Sequence, residues 1–445
     1  MPSPSPISYL SLRSVAALGI GSMVGAGIFA LMGQAVLMAG DGVYYSFIIG
    51  GIAALLSGYS YSKLGSKYPS SGGIMDYFDT AFTNKTFSGT LSIIYLITLA
   101  ITCTLIAKAF GAYASRLIFP ESALPFWSVP LFSSLIIILL GLMNMSGAGL
   151  VGKAEVALVA FKLFILSILI IAGLDNIASP STIQEGQAIT TLTKIDWTTT
   201  FGSVGLTFFA YAGYGMMANT AGNLKNPQKT LPRAIFFAIG IVILLYVALS
   251  FIVLKNVPTS ELKTHVDTAV AQTARPLLGK WGDIAVSIAA LVASASAINA
   301  TMFSFLRISQ GLAAKNQLDT AFQTPLWRQG SKGFVLTLGG ILIITNLFNL
   351  AAIANIASTT FLICYLAVFV AHWKLRQETR TNGAPIIIGF LLMLGILIAF
   401  LRQIYVTQAP ALVVIVLFII VSFILERWIR KSSKRAMKHI PPPSV

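Results

Sequence analysis

The chain has 445 residues, 56% of them hydrophobic and only 10% charged, against roughly a quarter charged in a soluble domain. A mean hydropathy of +0.83 excludes a water-soluble enzyme, a disordered chain and a nucleic-acid-binding domain, so the net charge of +16 becomes a question of which side of a bilayer carries it. Cys103 and Cys364 both lie in apolar runs and give neither a disulfide framework nor metal-ligand spacing.

The chain opens Met-Pro-Ser-Pro-Ser-Pro, with no basic stretch ahead of a short apolar run, so no cleaved leader is expected. A bilayer core of roughly 30 Å needs about 20 apolar helical residues. Twelve runs of that kind are expected, at 12–37, 42–64, 88–117, 128–146, 153–173, 198–222, 233–254, 282–307, 333–349, 351–373, 385–401 and 408–426. Buried helices of soluble bundles are shorter and carry polar faces, which this pattern lacks.

The first run carries glycines at 19, 21, 25 and 27. Glycine costs a helix about 1 kcal/mol relative to alanine, so Gly25-Ala26-Gly27 at mid-span invites unwinding. In the third run Lys108 stands two turns before Arg116, close enough to the outer surface to snorkel. In the fifth, Lys162 follows Lys153 by nine positions, which at 1.5 Å per residue puts it near the midplane. Burial disfavours a charged ammonium, so Lys162 is a candidate to load and release a proton, or to bridge carbonyls freed at the first break; a fixed charge locking two helices is the alternative. The sixth run, with Gly213 and Gly215 near its middle, occupies the place of the first if runs one to five and six to ten form two halves.

Paired interruptions point to a transporter's binding site. Unwound backbone in a bilayer is tolerated only where a cavity or ligand satisfies it. Helix N-termini there suit a carboxylate and C-termini suit an ammonium, so two breaks side by side suit an α-amino acid. The same glycines would equally permit close helix packing, and spacing alone leaves both readings open.

Placing the N-terminus in the cytoplasm and alternating sides gives an inner-to-outer excess of basic residues of about three to one, a positive-inside signal. Both termini are then expected on the cytoplasmic side of the cell (inner) membrane. Anionic lipid headgroups, and not nucleic acid, are the natural partners of the basic segments. No Asp or Glu is placed at mid-membrane by this count, which favours a neutral amino acid as cargo.

Several segments resemble amino-acid permeases of the amino acid–polyamine–organocation superfamily. Gly25-Ala-Gly-Ile-Phe29 is similar to the family's first-span Gly-Ser-Gly-Ile-Phe, and Tyr61–Gly73 looks like its loop after span two. Phe209-Ala-Tyr-Ala-Gly213, followed by Asn223–Ala234, looks like its sixth span and following loop, and Arg307 with the segment after it resembles the end of span eight. The resemblance covers about residues 10–380.

The resemblance implies an all-α integral membrane protein of twelve transmembrane helices. Ten form a five-plus-five inverted repeat with helices 1 and 6 broken, and two are added at the C-terminal end. The corresponding segments are a cytoplasmic N-terminus 1–11, a ten-helix core 12–373, a cytoplasmic loop 374–384, helices 11 and 12 at 385–426 and a basic tail 427–445.

Carried over by position, Ala26 and Gly27 would offer N–H groups to a substrate carboxylate. Met23, Phe209 and Ala212 would offer carbonyls to its ammonium, with Gly25, Ile28, Ala210 and Gly213 in the same two segments. Thr98 and Cys103 would line the side-chain pocket, and Phe209 would stand where the family often has an aromatic gate. The resemblance also supports Lys162 as the proton-coupling residue. Three positions depart from the family: Ala26 replaces the usual serine, Lys63 a common glutamate, and Gly215 an acidic residue present in many members.

No phosphate-binding loop, metalloprotease, redox or nucleophile-elbow motif is present, so no cofactor, metal or enzyme chemistry is expected. The expected function is secondary transport of neutral amino acids by alternating access, with protons as coupling ion. Exchange of amino acids, carriage of basic amino acids or polyamines, and a non-transporting amino-acid sensor are the alternatives. The transported side chain and the oligomer are left open.

Overall fold

The computed structural model describes residues 10–70, 72–119, 124–147, 153–178, 195–314 and 317–432. The expected N-terminal segment up to residue 9 and the tail from residue 433 lie outside the described residues.

The first half of the chain begins with α1 (Leu12–Ala26) and α2 (Ile28–Ala39), separated by Gly27 alone, followed by α3 (Val43–Lys67) and the short amphipathic α4 (Ile74–Ala81). Then come α5 (Lys85–Ile118), α6 (Ser128–Ser146) and α7 (Lys153–Ala178). The second half opens with α8 (Trp197–Tyr211), a 3₁₀ turn at Ala212–Tyr214 and α9 (Gly215–Ala218). It continues through α10 (Pro227–Asn256), the short α11 (Thr259–Thr264), α12 (Ala269–Ala314), α13 (Lys332–Leu347), α14 (Leu350–Lys374) and α15 (Ala384–Ser432). The strands described are confined to one small antiparallel pair, Pro325–Trp327 with Gly330–Ser331.

Local chemistry sets many of these boundaries. The side chains of Asn84, Asp196, Ser331 and Asn349 each accept a backbone N–H from the first turn of α5, α8, α13 and α14. Pro227 at the start of α10 loses nothing by lacking an N–H, so the helix begins six residues before the expected run. Gly147 ends α6 with φ +77°, a conformation glycine adopts without strain.

Eight helical stretches among the described residues are long and apolar enough to cross a membrane. Three of them run 40, 49 and 46 residues, far beyond the roughly 20 that one crossing needs. The longest is bent at Gly279 (φ +67°), just ahead of the expected run 282–307. In α15 the helix is broken at Gln408 (φ −147°, ψ 56°), two residues before Pro410, where the expected runs 385–401 and 408–426 meet.

The layers follow from burial. The apolar window of α5 is 94% buried and forms the centre, flanked by α12, α6 and α14. The windows of α7 and α15 are only 28% buried, and their outward side chains include Phe164, Ile171, Val413 and Ile420. Such faces suit lipid tails, which are as apolar as leucine. Helix α10 lies along α3, and α1 is held among α10, α12, α7 and the 3₁₀ turn after α8.

Candidate functional site

The two expected interruptions are present and short. At the first, Gly27 (φ −95°, ψ −76°) separates α1 from α2 while its N–H still reaches Met23 O at 2.8 Å. At the second, the backbone tightens to i→i+3 bonding over Ala212–Tyr214, and the N–H of Ala212 donates to Phe209 O.

The interruptions are seated against each other. A Cβ on Gly27 would fall 2.5 Å from Ala210 O, and one on Gly213 would fall 2.6 Å from Met23 N and 2.7 Å from Ser22 Oγ. Each break therefore needs a glycine where the other's backbone passes. The remaining first-span glycines serve packing instead. A Cβ on Gly19 would meet Met217 Sδ, one on Gly21 the Glu155 carboxylate, and one on Gly25 the backbone of Ala293, at 2.2, 2.2 and 2.4 Å. The glycine run thus serves close packing at 19, 21 and 25 and a helix interruption at 27.

Buried tyrosines satisfy carbonyls beside the breaks. The Tyr246 hydroxyl donates to Met23 O at 2.7 Å and Ala210 O at 3.2 Å, and the Tyr365 hydroxyl donates to Ala212 O at 2.8 Å. Tyr211 donates to Phe47 O at 3.0 Å, and Tyr214 shares a hydrogen bond with Ser57.

Beside the crossing lies a small hollow. The breaks contribute Ser22, Phe209, Ala212, Gly213 and Met216 to its wall. Opposite stand Tyr95, Leu99 and Thr102 of α5, with Thr301 of α12 and Phe361 of α14. Phe209 and Phe361 pack edge to face at 5.1 Å, with Tyr95 edge-on to Phe361 at 6.1 Å. The room for centres of water-sized bodies is about 20 Å³, enough for about one water and too little for an amino acid.

Of the residues expected from sequence, Phe209, Ala212 and Gly213 line this hollow. Met23, Gly27, Ile28 and Ala210 are buried in the crossing beside it, Gly25 is buried against Ala293 of α12, and Ala26 is the last residue of α1. Thr98 and Cys103 are buried on α5 but flank the lining set 95, 99 and 102, which follows one helical face. The Thr98 hydroxyl donates to Ile94 O at 2.7 Å. Ser22, Tyr95, Leu99, Thr102, Met216, Thr301 and Phe361 also line it, and no motif or glycine cluster marks them in the sequence.

Lys162 is buried, and its Nζ makes no hydrogen bond among the described residues. Glu155, two turns earlier on the same helix, brings Oε1 to 3.9 Å, and the Ser296 hydroxyl donates to the same carboxylate at 2.7–2.9 Å. Glu155, near the start of α7, thus brings a carboxylate to the buried lysine. The expected bridge from Lys162 to carbonyls at the first break is not formed here, since Met23 O is held by Tyr246 and Gly27.

Lys108 does not point to the surface. Its Nζ donates to Thr345 O at 3.0 Å and to Phe348 O, closing the C-terminal end of α13. Asn144 and Asn299 join α6 to α12 at 2.8 Å. No group of three or more metal-ligating side chains occurs among the described residues.

The sequence matches a family described as amino acid permease over residues 10–432. It is 41% identical over 422 residues to the inner membrane transport protein YbaT of Escherichia coli (strain K12), covering 94% of this chain and 96% of that one. It is 26% identical over 385 residues to the serine/threonine exchanger SteT of Bacillus subtilis (strain 168), covering 83% and 84%. It is 26% identical over 401 residues to the cationic amino acid transporter 9, chloroplastic, of Arabidopsis thaliana, covering 85% and 68%.

Proposed function

We propose that this chain, which belongs to the amino acid permease family, carries neutral amino acids across the cell (inner) membrane by alternating access, coupled to protons. The observation that carries this reading is the mutual seating of Gly27 against Ala210 and of Gly213 against Met23, with a small, mostly apolar hollow beside the crossing. Two helix ends meeting in the middle of an apolar protein supply backbone donors and acceptors without charged side chains.

In this reading the chain crosses the membrane twelve times, as two inverted sets of five with two added helices, and both termini face the cytoplasm. The long stretches bent at Gly279 and broken at Gln408 are compatible with that count. The substrate carboxylate is received by the backbone of Ala26 and Gly27, beside Gly25 and Ile28. Its ammonium is received by carbonyls of Met23, Phe209 and Ala212, beside Ala210 and Gly213. Tyr246 and Tyr365 occupy two of those carbonyls in the closed arrangement, so substrate entry requires that these hydroxyls move aside. The side chain projects towards α5, where Thr98 and Cys103 join the wall as it widens. The absence of any charged residue from the present lining favours a neutral side chain.

Lys162 is the proton-coupling group: buried and without a hydrogen bond among the described residues, its ammonium has the Glu155 carboxylate nearby. The test is uptake into proteoliposomes. An imposed pH gradient should drive accumulation of neutral amino acids, and Lys162→Ala should abolish that accumulation while sparing counterflow. Unchanged gradient-driven uptake in that variant would refute the coupling. Exchange is the second reading, favoured by the relative named a serine/threonine exchanger; it predicts counterflow but no gradient-driven accumulation in the parent protein.

A further inference from the structure

We propose that Glu155 is the group through which Lys162 exchanges its proton with water at the N-terminal end of α7, an inference that rests on the proton coupling proposed above. The two side chains are seven residues apart on one helix, hence two turns apart on the same face. Their charged atoms stand 3.9 Å apart. The lysine side chain is only 1% exposed and the glutamate 17%, so the carboxylate is the more accessible member of the pair.

The seat of the carboxylate is built by three helices. Ser296 of α12 donates its hydroxyl to the two oxygens at 2.9 and 2.7 Å. On α1 the place opposite is left open by Gly21, whose Cβ would lie 2.2 Å from Oε1. A charged hydrogen-bond acceptor is thus fixed where α1 meets α7 and α12.

Other ionisable groups do not intervene. Among the described residues Glu155 is the charged group acting on Lys162. Of the elements packed on α7, α12 offers the neutral Ser296 hydroxyl and α1 the bare backbone at Gly21. On α10, Tyr246 is engaged with the carbonyls of Met23 and Ala210.

The step is a single transfer. One N–H bond of the Lys162 ammonium breaks and an O–H bond forms on Glu155, leaving a neutral amine and a neutral acid. The acid then gives the same proton to water. Loading runs the sequence backwards. A small side-chain rotation, or one bridging water, closes the present 3.9 Å.

The experiment uses the full chain in proteoliposomes with a mixture of tritiated neutral L-amino acids. Glu155→Gln should lower pH-gradient-driven accumulation at least about tenfold while counterflow stays within about twofold of the parent. Glu155→Asp should recover part of the accumulation with a displaced pH profile. Parent-like accumulation with an unchanged pH profile in Glu155→Gln would overturn the proposal. So would loss of counterflow as well, which would assign Glu155 a structural role. A parent that shows counterflow but never accumulates on a pH gradient would refute the coupling itself, and this inference with it.

Discussion

The hydroxyl of Tyr246 donates to the carbonyl of Met23 at 2.7 Å, and its second contact, to Ala210, joins α10 to both interrupted helices. Tyr246→Phe keeps the ring and removes this tie. We expect a loss of about 1 kcal/mol in stability, read as a lower melting temperature in detergent, and uptake reduced several-fold. Parent-like values on both measurements would show that the tie is idle.

Gly27 and Gly240 offer a matched pair. A Cβ on Gly27 meets Ala210 O at 2.5 Å, whereas one on Gly240 meets nothing within 4 Å. Gly27→Ala should push the two breaks apart and cut transport at least about tenfold. Gly240→Ala should leave transport intact and stabilise α10 by up to about 1 kcal/mol. Equal transport by the two variants would remove the close crossing as a functional requirement.

Thr102 stands in the wall of the hollow, its hydroxyl already donated to Thr98 O at 2.8 Å. Thr102→Phe places a ring where little more than a water fits. The rise in melting temperature that neutral amino acids produce in the parent should vanish in this variant. A preserved ligand-induced shift would locate binding elsewhere.

Lys108 bonds the end of α13, so its removal should be felt although the residue stands near the end of a span. Lys108→Met keeps the apolar stem and deletes the donor. We expect a loss of about 1–2 kcal/mol, read from the melting temperature. A silent substitution would return this lysine to a snorkelling role.

Arg116 grips Asp283 through two hydrogen bonds, at 3.2 and 3.1 Å, and also donates to Gln272 at 2.8 Å. The grip joins the end of α5 to two sites on α12. Asp283→Asn should lower stability by about 2 kcal/mol. Thermal unfolding of the variant in low and high salt checks this, since a largely buried pair should respond little to screening.

The helices were legible because their signals are local. Unbroken apolar runs and caps such as Asn84 and Asn349 act within one turn of chain. The two interruptions were legible as glycine clusters, but Gly25 and Gly27 are indistinguishable by composition. Only the neighbour each one meets, Ala293 or Ala210, separates packing from the crossing.

The rest depended on rotation and partnership. Which face of α5 turns inward is set by α12 and α14, and no polarity contrast along a wholly buried helix reveals it; Thr98 and Cys103, named by the resemblance, stand beside Tyr95, Leu99 and Thr102 on that helix. Glu155 lies two residues into α7 and reads as interfacial, while its side chain reaches along the helix to Lys162. Tyr246 sits in the most uniformly apolar run, where a hydroxyl looks incidental until its two acceptors are known.

A chamber with space for one water is no lock standing open for its key. In the proposed transport, receiving a substrate there means that the protein first takes apart some of its own interior, unfastening phenols from carbonyls and parting aromatic rings. Turnover should therefore slow steeply on cooling, and lipids that stiffen the surrounding bilayer should throttle it.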